Sequence, residues 1–240
     1  MVVALAREAQ ILVSEIERSA CSSVAESLMS IRISGVGATN ATRASQQLVK
    51  DGATALVSWG VAGALRPELR AGQLLLPLHI VDETGNIRSV DKSWHVNALR
   101  TLGGGARLLI APVAQTHVLL ENAAAKAELG RTTGACAADM ESFAIGTVAE
   151  KAGLRFLTIR AIVDSLDMTV PACIGRAVKA NGQTNSLALL GPCLRAPWLL
   201  TDLLRLGLAF RAAARALTPI ASCFVRDQLG FDIPPTRTEA

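Results

Sequence analysis

The chain has 240 residues, of which 50% are hydrophobic and 18% are charged, and this balance excludes a disordered chain. The length allows one large α/β domain with a sizeable core. The net charge of +4 comes from scattered Lys and Arg residues without a basic block, so no nucleic-acid partner is expected.

The cysteines and the start of the chain indicate a cytoplasmic enzyme. Five cysteines occur without a Cys-x-x-Cys spacing, which suggests reduced thiols and neither a disulfide framework nor a zinc site. The first ten residues are interrupted by Arg7 and Glu8, so we expect no secretory signal. No uncharged apolar stretch reaches the ~18 residues that a transmembrane helix needs.

The hydrophobic pattern predicts apolar strands that alternate with helices. Strands are predicted at 1–6, 30–36, 55–59, 73–81, 107–113 and 156–163, with a bend or sheet edge at Pro77. Helices are predicted at 7–17, 41–51, 121–129, 138–152, 170–179 and 196–217. This order predicts a three-layer α/β/α sandwich with a central mixed, mostly parallel sheet. We expect residues 1–240 to form a single domain with a C-terminal helical extension from about residue 196, a polar loop at 180–186 and a frayed tail at 234–240.

Polar and glycine residues follow several of the predicted strands. Because ligands bind outside the carboxyl ends of strands in sheets of this class, we expect these residues to form one site. They are Glu8, Gly35-Val36-Gly37, Gly60-Val61-Ala62-Gly63, Glu141, Arg160 and Asp164. The glycine segments either bring backbone N–H groups close to a ligand or form tight turns from strand to helix. Neither segment matches a complete triphosphate or dinucleotide motif.

Each charged residue of this set has both a chemical and a structural interpretation. Asp164 ends a buried strand, where desolvation raises the pKa of a carboxyl and favours a general acid, but it is also placed to cap a helix. Glu141 is predicted at a helix N-terminus, where the dipole favours an ionised carboxylate that binds hydroxyl groups or caps the helix. Glu8 is either a general base or a first-turn helix acid. Arg160 lies in an apolar strand and needs a paired anion, for which Glu8 is the candidate.

The remaining polar residues give weaker signals. His79, His95 and His117 have no metal-ligand spacing, so structural roles and no metal site are expected. Ser58 and Ser142 lack a His neighbour that would mark a nucleophile.

The order of these segments resembles the superfamily of nucleoside phosphorylases and nucleosidases, which includes purine nucleoside phosphorylase and methylthioadenosine/S-adenosylhomocysteine nucleosidase. The resemblance rests on residues 4–8, 34–37, 58–65, 139–141 and 160–164. It implies cleavage of an N-glycosidic bond without a cofactor. Asp164 would protonate the purine, Glu141 would bind the ribose hydroxyls, and Glu8 and Arg160 would position water or phosphate. Substrate-binding roles are implied for Glu141, Met140, Gly35, Gly37, Gly60, Val61, Ala62, Gly63, Val118 and Leu119.

Two departures from the superfamily pattern affect the nucleophile. Val61 stands where Ser or Thr is usual, and Ser58 stands where some phosphorylases place a phosphate-binding Arg. Water is therefore the favoured nucleophile unless Arg43 or Arg160 compensates, and phosphate is the alternative co-substrate.

The C-terminal part resembles a subgroup, the hopanoid-associated phosphorylases, at residues 179–183 and in the Arg- and Leu-rich helix 196–217. This implies an adenine nucleoside with a bulky apolar 5′ substituent similar to adenosylhopane. The expected apolar wall consists of Trp94, Trp198, Leu199, Leu203 and Phe210.

Other substrates and partners stay open at this point. A methylthioadenosine/S-adenosylhomocysteine or futalosine nucleosidase is one alternative, and a non-catalytic nucleoside-binding member of the fold is another. The C-terminal helix, which carries arginines at 195, 205, 211 and 215, either contacts a membrane surface or packs on the core or on a second subunit. A homo-oligomer is expected.

Overall fold

The structure is a computed structural model that describes residues 1–19, 29–102, 108–177, 182–183, 196 and 198–226. The predicted tail and most of the predicted polar loop lie outside the described residues. The strands are β1 (Val2–Val3), β2 (Arg32–Ile33), β3 (Ala55–Ala64), β4 (Leu74–Leu75), β5 (His79–Val81), β6 (Ile87–Ser89), β7 (Leu108–Leu109), β8 (Val113–Gln115), β9 (Ala137–Asp139) and β10 (Arg155–Asp164). The helices are α1 (Ala6–Arg18), α2 (Ala38–Lys50), α3 (Lys92–Leu102), α4 (Ala123–Thr133), α5 (Ser142–Lys151), α6 (Cys173–Ala177) and α7 (Leu199–Val225).

The described strands form one mixed sheet in the order β6-β5-β8-β9-β3-β10-β4-β7, and β1 joins β2 to β3. Six pairings are parallel, and β10–β4, β3–β9 and β5–β6 are antiparallel. Helices flank this sheet, so the predicted fold class is confirmed.

The two long strands β3 and β10 form the centre of the sheet. They pair in parallel from Arg155 and Ala55 to Asp164 and Gly63, with a register shift just before Asp164. This pairing corrects the prediction that β3 ends at Trp59 and opens into a glycine turn. The segment Gly60–Gly63 stays in the strand because β10 supplies backbone partners along its whole length.

The helices pack on both faces of the sheet. Helices α1 and α7 contact each other, and α7 lies against β10, while α2 and α5 pack together. The second half of α7 buries one face, which includes Ala213, Leu217, Ile220 and Phe224. In the described part of the chain, α7 is also the one helix whose length and apolar composition would suffice to cross a membrane.

The differences from the predicted elements have local causes. The segment 138–152 is not one helix, because Ala137–Asp139 forms β9 and α5 begins only at Ser142. The predicted strand 73–81 is divided into β4 and β5 around Pro77, as expected for a bend. Helix α3 and strand β6 were not predicted.

Candidate functional site

A cavity of about 620 Å³ lies at the carboxyl ends of the central strands. Its wall includes nine of the residues predicted for the site, namely Glu8, Val61, Ala62, Gly63, Val118, Leu119, Met140, Glu141 and Asp164. The predicted residues Gly35, Gly37, Gly60 and Arg160 are not part of the lining, but each lies directly behind or beside a residue that is. Most of the residues predicted for the site therefore lie together around this cavity.

Glu8 reaches the cavity from the first turn of α1. Its Oε2 accepts a hydrogen bond from the N–H of Leu5 over 2.9 Å, and its Oε1 accepts one from the N–H of Val61 over 2.8 Å. A Cβ atom at position 60 would lie 2.5 Å from Oε1, so Gly60 makes room for this carboxyl. Burial raises the pKa of Glu8, and the charge of Arg160 and backbone hydrogen bonds oppose that shift. Glu8 thus accepts a backbone hydrogen bond at the start of α1 and also lines the cavity.

Glu141 occupies the N-cap position of α5 but does not cap it with its side chain. Its Oε1 accepts a hydrogen bond from the N–H of Gly37 over 2.8 Å, at a point where Gly37 has a φ of 99° and begins α2. The capping role belongs to Asp139, whose Oδ1 accepts hydrogen bonds from the N–H groups of Glu141 and Ser142. The carboxyl of Glu141 therefore does not cap α5, and it faces the cavity.

Burial beside Asp139 opposes the ionised form that the helix end was expected to favour at Glu141. Burial, and then the negative charge of Asp139, raises the pKa of Glu141 to about 8. The dipole of a single helix end is worth about 0.3–1 kcal/mol at an exposed position, which is too little to offset complete burial.

Arg160 pairs with Asp139 and not with Glu8, which corrects the predicted ion pair. Its Nε donates to Oδ2 of Asp139 over 2.8 Å, and both side chains are almost completely buried. One terminal nitrogen donates to the hydroxyl oxygens of Ser58 and Ser142, and the other donates to the carbonyl of Ile159. These bonds hold the guanidinium group within the protein. Arg160 therefore influences the cavity through its positive charge and not by direct contact.

Asp164 is the last residue of β10 and projects into the cavity wall beside Gly63. No helix begins at Asp164, because α6 starts at Cys173, and the alternative role as a helix cap is therefore wrong. A Cβ atom at position 63 would lie 3.1 Å from each carboxyl oxygen, so the absence of a side chain at Gly63 gives Asp164 its place. Burial raises the pKa of Asp164, while Lys126 opposes that rise.

Lys126 lines the cavity and was not among the residues predicted for the site. It lies in the first turns of α4, and its Nζ is 2.5 Å from Oδ2 of Asp164. Asn122 caps this helix by accepting from the N–H of Ala125, which fixes the turn that carries Lys126. The sequence around Lys126 is an alanine-rich helix, which indicates neither the burial of this lysine nor its pairing with Asp164.

The rest of the wall is mainly apolar. It includes Leu206 and Phe210 from α7, Leu65, Leu120, Val170 and Ile174. Phe210 was predicted for this wall, whereas Trp94 is wrong because it is fully buried in the core and 1% exposed. Trp198 is 69% exposed and, like Leu199 and Leu203, is not part of the lining.

The described residues offer few groups for an anion. The cavity lining contains four acids, Glu8, Asp139, Glu141 and Asp164, against the basic side chains of Lys126 and His117. Arg43 is exposed and is not in the lining. No group of three metal-binding side chains occurs among the described residues. His95 contacts the carbonyl of Leu76, and His79 contacts Ser89.

Comparison with known proteins gives the family and the fold of this chain. A sequence model of the Phosphorylase superfamily matches residues 20–189. The chain belongs to that superfamily. A search of curated proteins gave no match.

Solved structures with the same fold include two kinds of nucleosidase. A methylthioadenosine/S-adenosylhomocysteine nucleosidase from Neisseria meningitidis, in complex with methylthio-immucillin-A, is 15% identical with a TM-score of 0.66, covering 95% of this chain and 96% of that one. A futalosine hydrolase from Helicobacter pylori is 13% identical with a TM-score of 0.65, covering 95% of each chain. A methylthioadenosine/S-adenosylhomocysteine nucleosidase from Campylobacter jejuni is 14% identical with a TM-score of 0.61, covering 91% of this chain and 97% of that one.

Proposed function

We propose that this protein cleaves the N-glycosidic bond of an adenine-containing nucleoside and releases adenine. The observation that carries the proposal is the convergence of three buried carboxyl groups, Glu8, Glu141 and Asp164, on one largely apolar cavity. Membership of a superfamily of nucleoside-cleaving enzymes supports the same conclusion. Carboxyl groups in such surroundings can remain protonated near neutral pH, and this is what a departing base requires.

The proposed reaction assigns one step to each carboxyl. Asp164 donates its proton to a ring nitrogen of adenine, and the electron pair of the C1′–N bond leaves with the base. Glu141, held by Gly37, forms hydrogen bonds with the ribose hydroxyls, and its ionised form stabilises the positive charge that develops on the sugar. Glu8 takes a proton from the water that attacks C1′. The backbone at Val118 and Leu119, with Met140, lines the remaining space around the base and sugar.

The proposed nucleophile is water, with phosphate as the alternative. An anion entering this cavity meets mainly acidic side chains, and a buried charge without a partner is costly. Ser58 is held by Arg160 and Ser142, and Arg160 is itself engaged by the scaffold. Neither residue therefore has an evident group to offer phosphate.

The proposed substrate carries a bulky apolar group at its 5′ position, similar to adenosylhopane. The apolar side chains of α7 that enter the cavity, Leu206 and Phe210, support this choice. Methylthioadenosine, S-adenosylhomocysteine and futalosine are the second candidates, and the shared fold with their nucleosidases favours them. A non-catalytic nucleoside-binding protein is the third.

Two partner proposals concern the exposed part of α7. Leu200, Leu204 and Leu208 are spaced along one face of this helix and are 52%, 69% and 62% exposed. With Arg205, Arg211 and Arg215 also exposed, this face has the composition of an interfacial helix, so we propose peripheral contact with an anionic membrane on the cytoplasmic side. We also propose a homo-oligomer, since a second subunit would cover apolar surface that one chain leaves open. Co-sedimentation with anionic vesicles and the mass in solution test these two proposals separately.

Adenine release from a panel of 5′-substituted adenosines, measured with and without phosphate, tests the proposed function. We expect release without phosphate and faster turnover as the 5′ group becomes larger and more apolar. A preference for methylthioadenosine or futalosine would favour the second candidates. Tight adenosine binding without release would favour the non-catalytic alternative and overturn the proposal.

A further inference from the structure

Lys126 is buried at the edge of the cavity, with a side chain that is 1% exposed. Its Nζ lies 2.5 Å from Oδ2 of Asp164 and donates to the carbonyl oxygens of Ser165 over 2.9 Å and of Met168 over 2.8 Å. A lysine ammonium has three hydrogens and no acceptor site, so these three oxygens match its hydrogen-bonding capacity. The geometry therefore suits the charged form of Lys126.

The same contacts connect Asp164 to the chain that follows it. Ser165 and Met168 belong to a turn in which the N–H of Met168 donates to the carbonyl of Ser165. The Nζ atom of Lys126 thus connects α4 to the end of β10 and to this turn. Because Oδ2 of Asp164 is occupied by the ammonium, the other carboxyl oxygen is left for a ligand in the cavity.

We propose that Lys126 is a positioning residue for the proton donor, which orients Asp164 and stabilises the carboxylate left after the proton has passed to the base. This inference rests on the proposed function. In the donation step the O–H bond of Asp164 breaks, the proton joins the base, and the negative charge appears beside an ammonium that is already in place. An electrostatic contact that is stronger after proton transfer than before it lowers the barrier of that step.

The charges around Asp164 make this effect specific to Lys126. Lys126 from α4 is the charged group of the described residues that shifts the pKa of Asp164 downward, in opposition to burial. Asp167, in the same turn, is exposed, and its pKa is lowered first by a hydrogen bond with Ser165 and to a smaller extent by the charges of Arg70 and Lys126. Glu8 and Glu141 face the cavity from α1 and from the start of α5.

The test compares two neutral variants with the wild type. Lys126→Met removes the charge and the donors, whereas Lys126→Gln removes the charge and keeps an N–H donor. Arg131→Met is the matched control, because it removes from the same helix an exposed cation that pairs with Glu128. We expect both neutral variants to release adenine about 10- to 100-fold more slowly, the range typical for hydrogen bonds to charged groups. The control should retain the wild-type rate.

The pH profile separates positioning from a purely structural role. Protonated Asp164 is the active form, so the rate falls on the alkaline side as Asp164 loses its proton. Loss of the ammonium should raise the pKa of Asp164 and move this alkaline limb upward by about 1 to 3 pH units. A ribose with a 4-nitrophenolate leaving group needs no proton, and the variants should cleave it at nearly the wild-type rate.

A readout without catalysis distinguishes this inference from the proposed function. Carboxyl carbon NMR of Asp164 should titrate at higher pH in both neutral variants, whether or not any nucleoside is cleaved. An unchanged titration and an unchanged alkaline limb would overturn the role of Lys126 while leaving the proposed function intact. Failure of both variants to fold, judged by circular dichroism, would assign the pair to stability and would also overturn it. Inactivity of the wild type on every nucleoside would instead contradict the proposed function.

Discussion

Two buried ion pairs lie near the cavity at the end of the central strands, and they differ in what surrounds them. Asp139 lines the cavity, but both of its carboxyl oxygens are bonded within the protein, to Arg160, to Ser142 and to backbone N–H groups. Lys126 and Asp164 also form a short pair, but one carboxyl oxygen of Asp164 faces an open cavity. The pair of Arg160 and Asp139 therefore stabilises the fold, whereas the pair of Lys126 and Asp164 leaves a carboxyl oxygen accessible to a ligand.

This difference explains why burial alone is a poor guide to function. Asp139 is as well buried as Asp164, yet it caps α5 and neutralises Arg160. Removing either member of such an internal pair leaves a buried charge without compensation. Asp164, in contrast, can exchange a proton because a ligand can reach it.

The largest expected effect is on activity and comes from the accessible pair. Asp164→Asn removes the proton donor but keeps the shape and a hydrogen-bond acceptor for Lys126. We expect adenine release to fall by about 10²- to 10⁴-fold, the usual contribution of general acid catalysis. The melting temperature, measured on the same samples, should fall less than in Arg160→Met, because Lys126 keeps three hydrogen-bond acceptors. A folded variant with wild-type turnover would contradict the assignment of Asp164.

The internal pair should show the opposite behaviour. Arg160→Met leaves Asp139 as a buried, unpaired carboxylate, which costs about 3 to 5 kcal/mol in the free energy of unfolding. Urea denaturation measures this loss, and Arg131→Met, which breaks an exposed pair, is the control. If Arg160→Met unfolds like the wild type but no longer cleaves nucleoside, Arg160 is part of the chemistry and the distinction between the two pairs is lost.

A smaller, pH-dependent effect is expected at Glu141, which lies beside the internal pair. The pKa of Glu141 is raised from 4.5 to about 8 in the folded protein, so folding favours its protonated form. The wild type should therefore lose stability relative to Glu141→Gln as the pH rises from about 4.5 to 8, with no further change above that range. Melting temperatures of both proteins across this range provide the measurement. A constant difference would show that Glu141 has no raised pKa.

The smallest effect is expected outside both pairs. Leu204 is 69% exposed on α7, so Leu204→Ser should change the free energy of unfolding by no more than about 0.5 kcal/mol. Cleavage of water-soluble nucleosides should be unchanged, whereas binding to anionic vesicles should weaken. Unaltered vesicle binding would remove the leucine face as a membrane contact.

Much of this molecule is predictable because its signals are local. The alternation of apolar strands and helices predicts the sheet, and the carboxyl ends of its strands bring Glu8, Glu141 and Asp164 together. The predicted helix 138–152 includes Ala138 and Asp139, but pairing with β3 and β8 places these two residues in a strand.

The unpredicted features are contacts between distant parts of the chain. Arg160 requires an anion, and the sequence alone does not decide between Glu8 and Asp139. Lys126 is far from Asp164 along the chain, and only the packing of α4 brings its ammonium to the end of β10. The extended conformation of Gly60–Gly63 likewise depends on a neighbouring strand.

The sugar product provides the most direct test of the central claim that this cavity cleaves nucleosides with water. A 5′-alkyl adenosine would be incubated with the wild type in ¹⁸O-labelled water containing phosphate, and the sugar would be analysed by mass spectrometry. We predict free 5′-alkyl ribose that carries one ¹⁸O atom at C1, released together with one equivalent of adenine. Formation of a sugar 1-phosphate would contradict hydrolysis, and the absence of any sugar product would contradict the proposed cleavage itself.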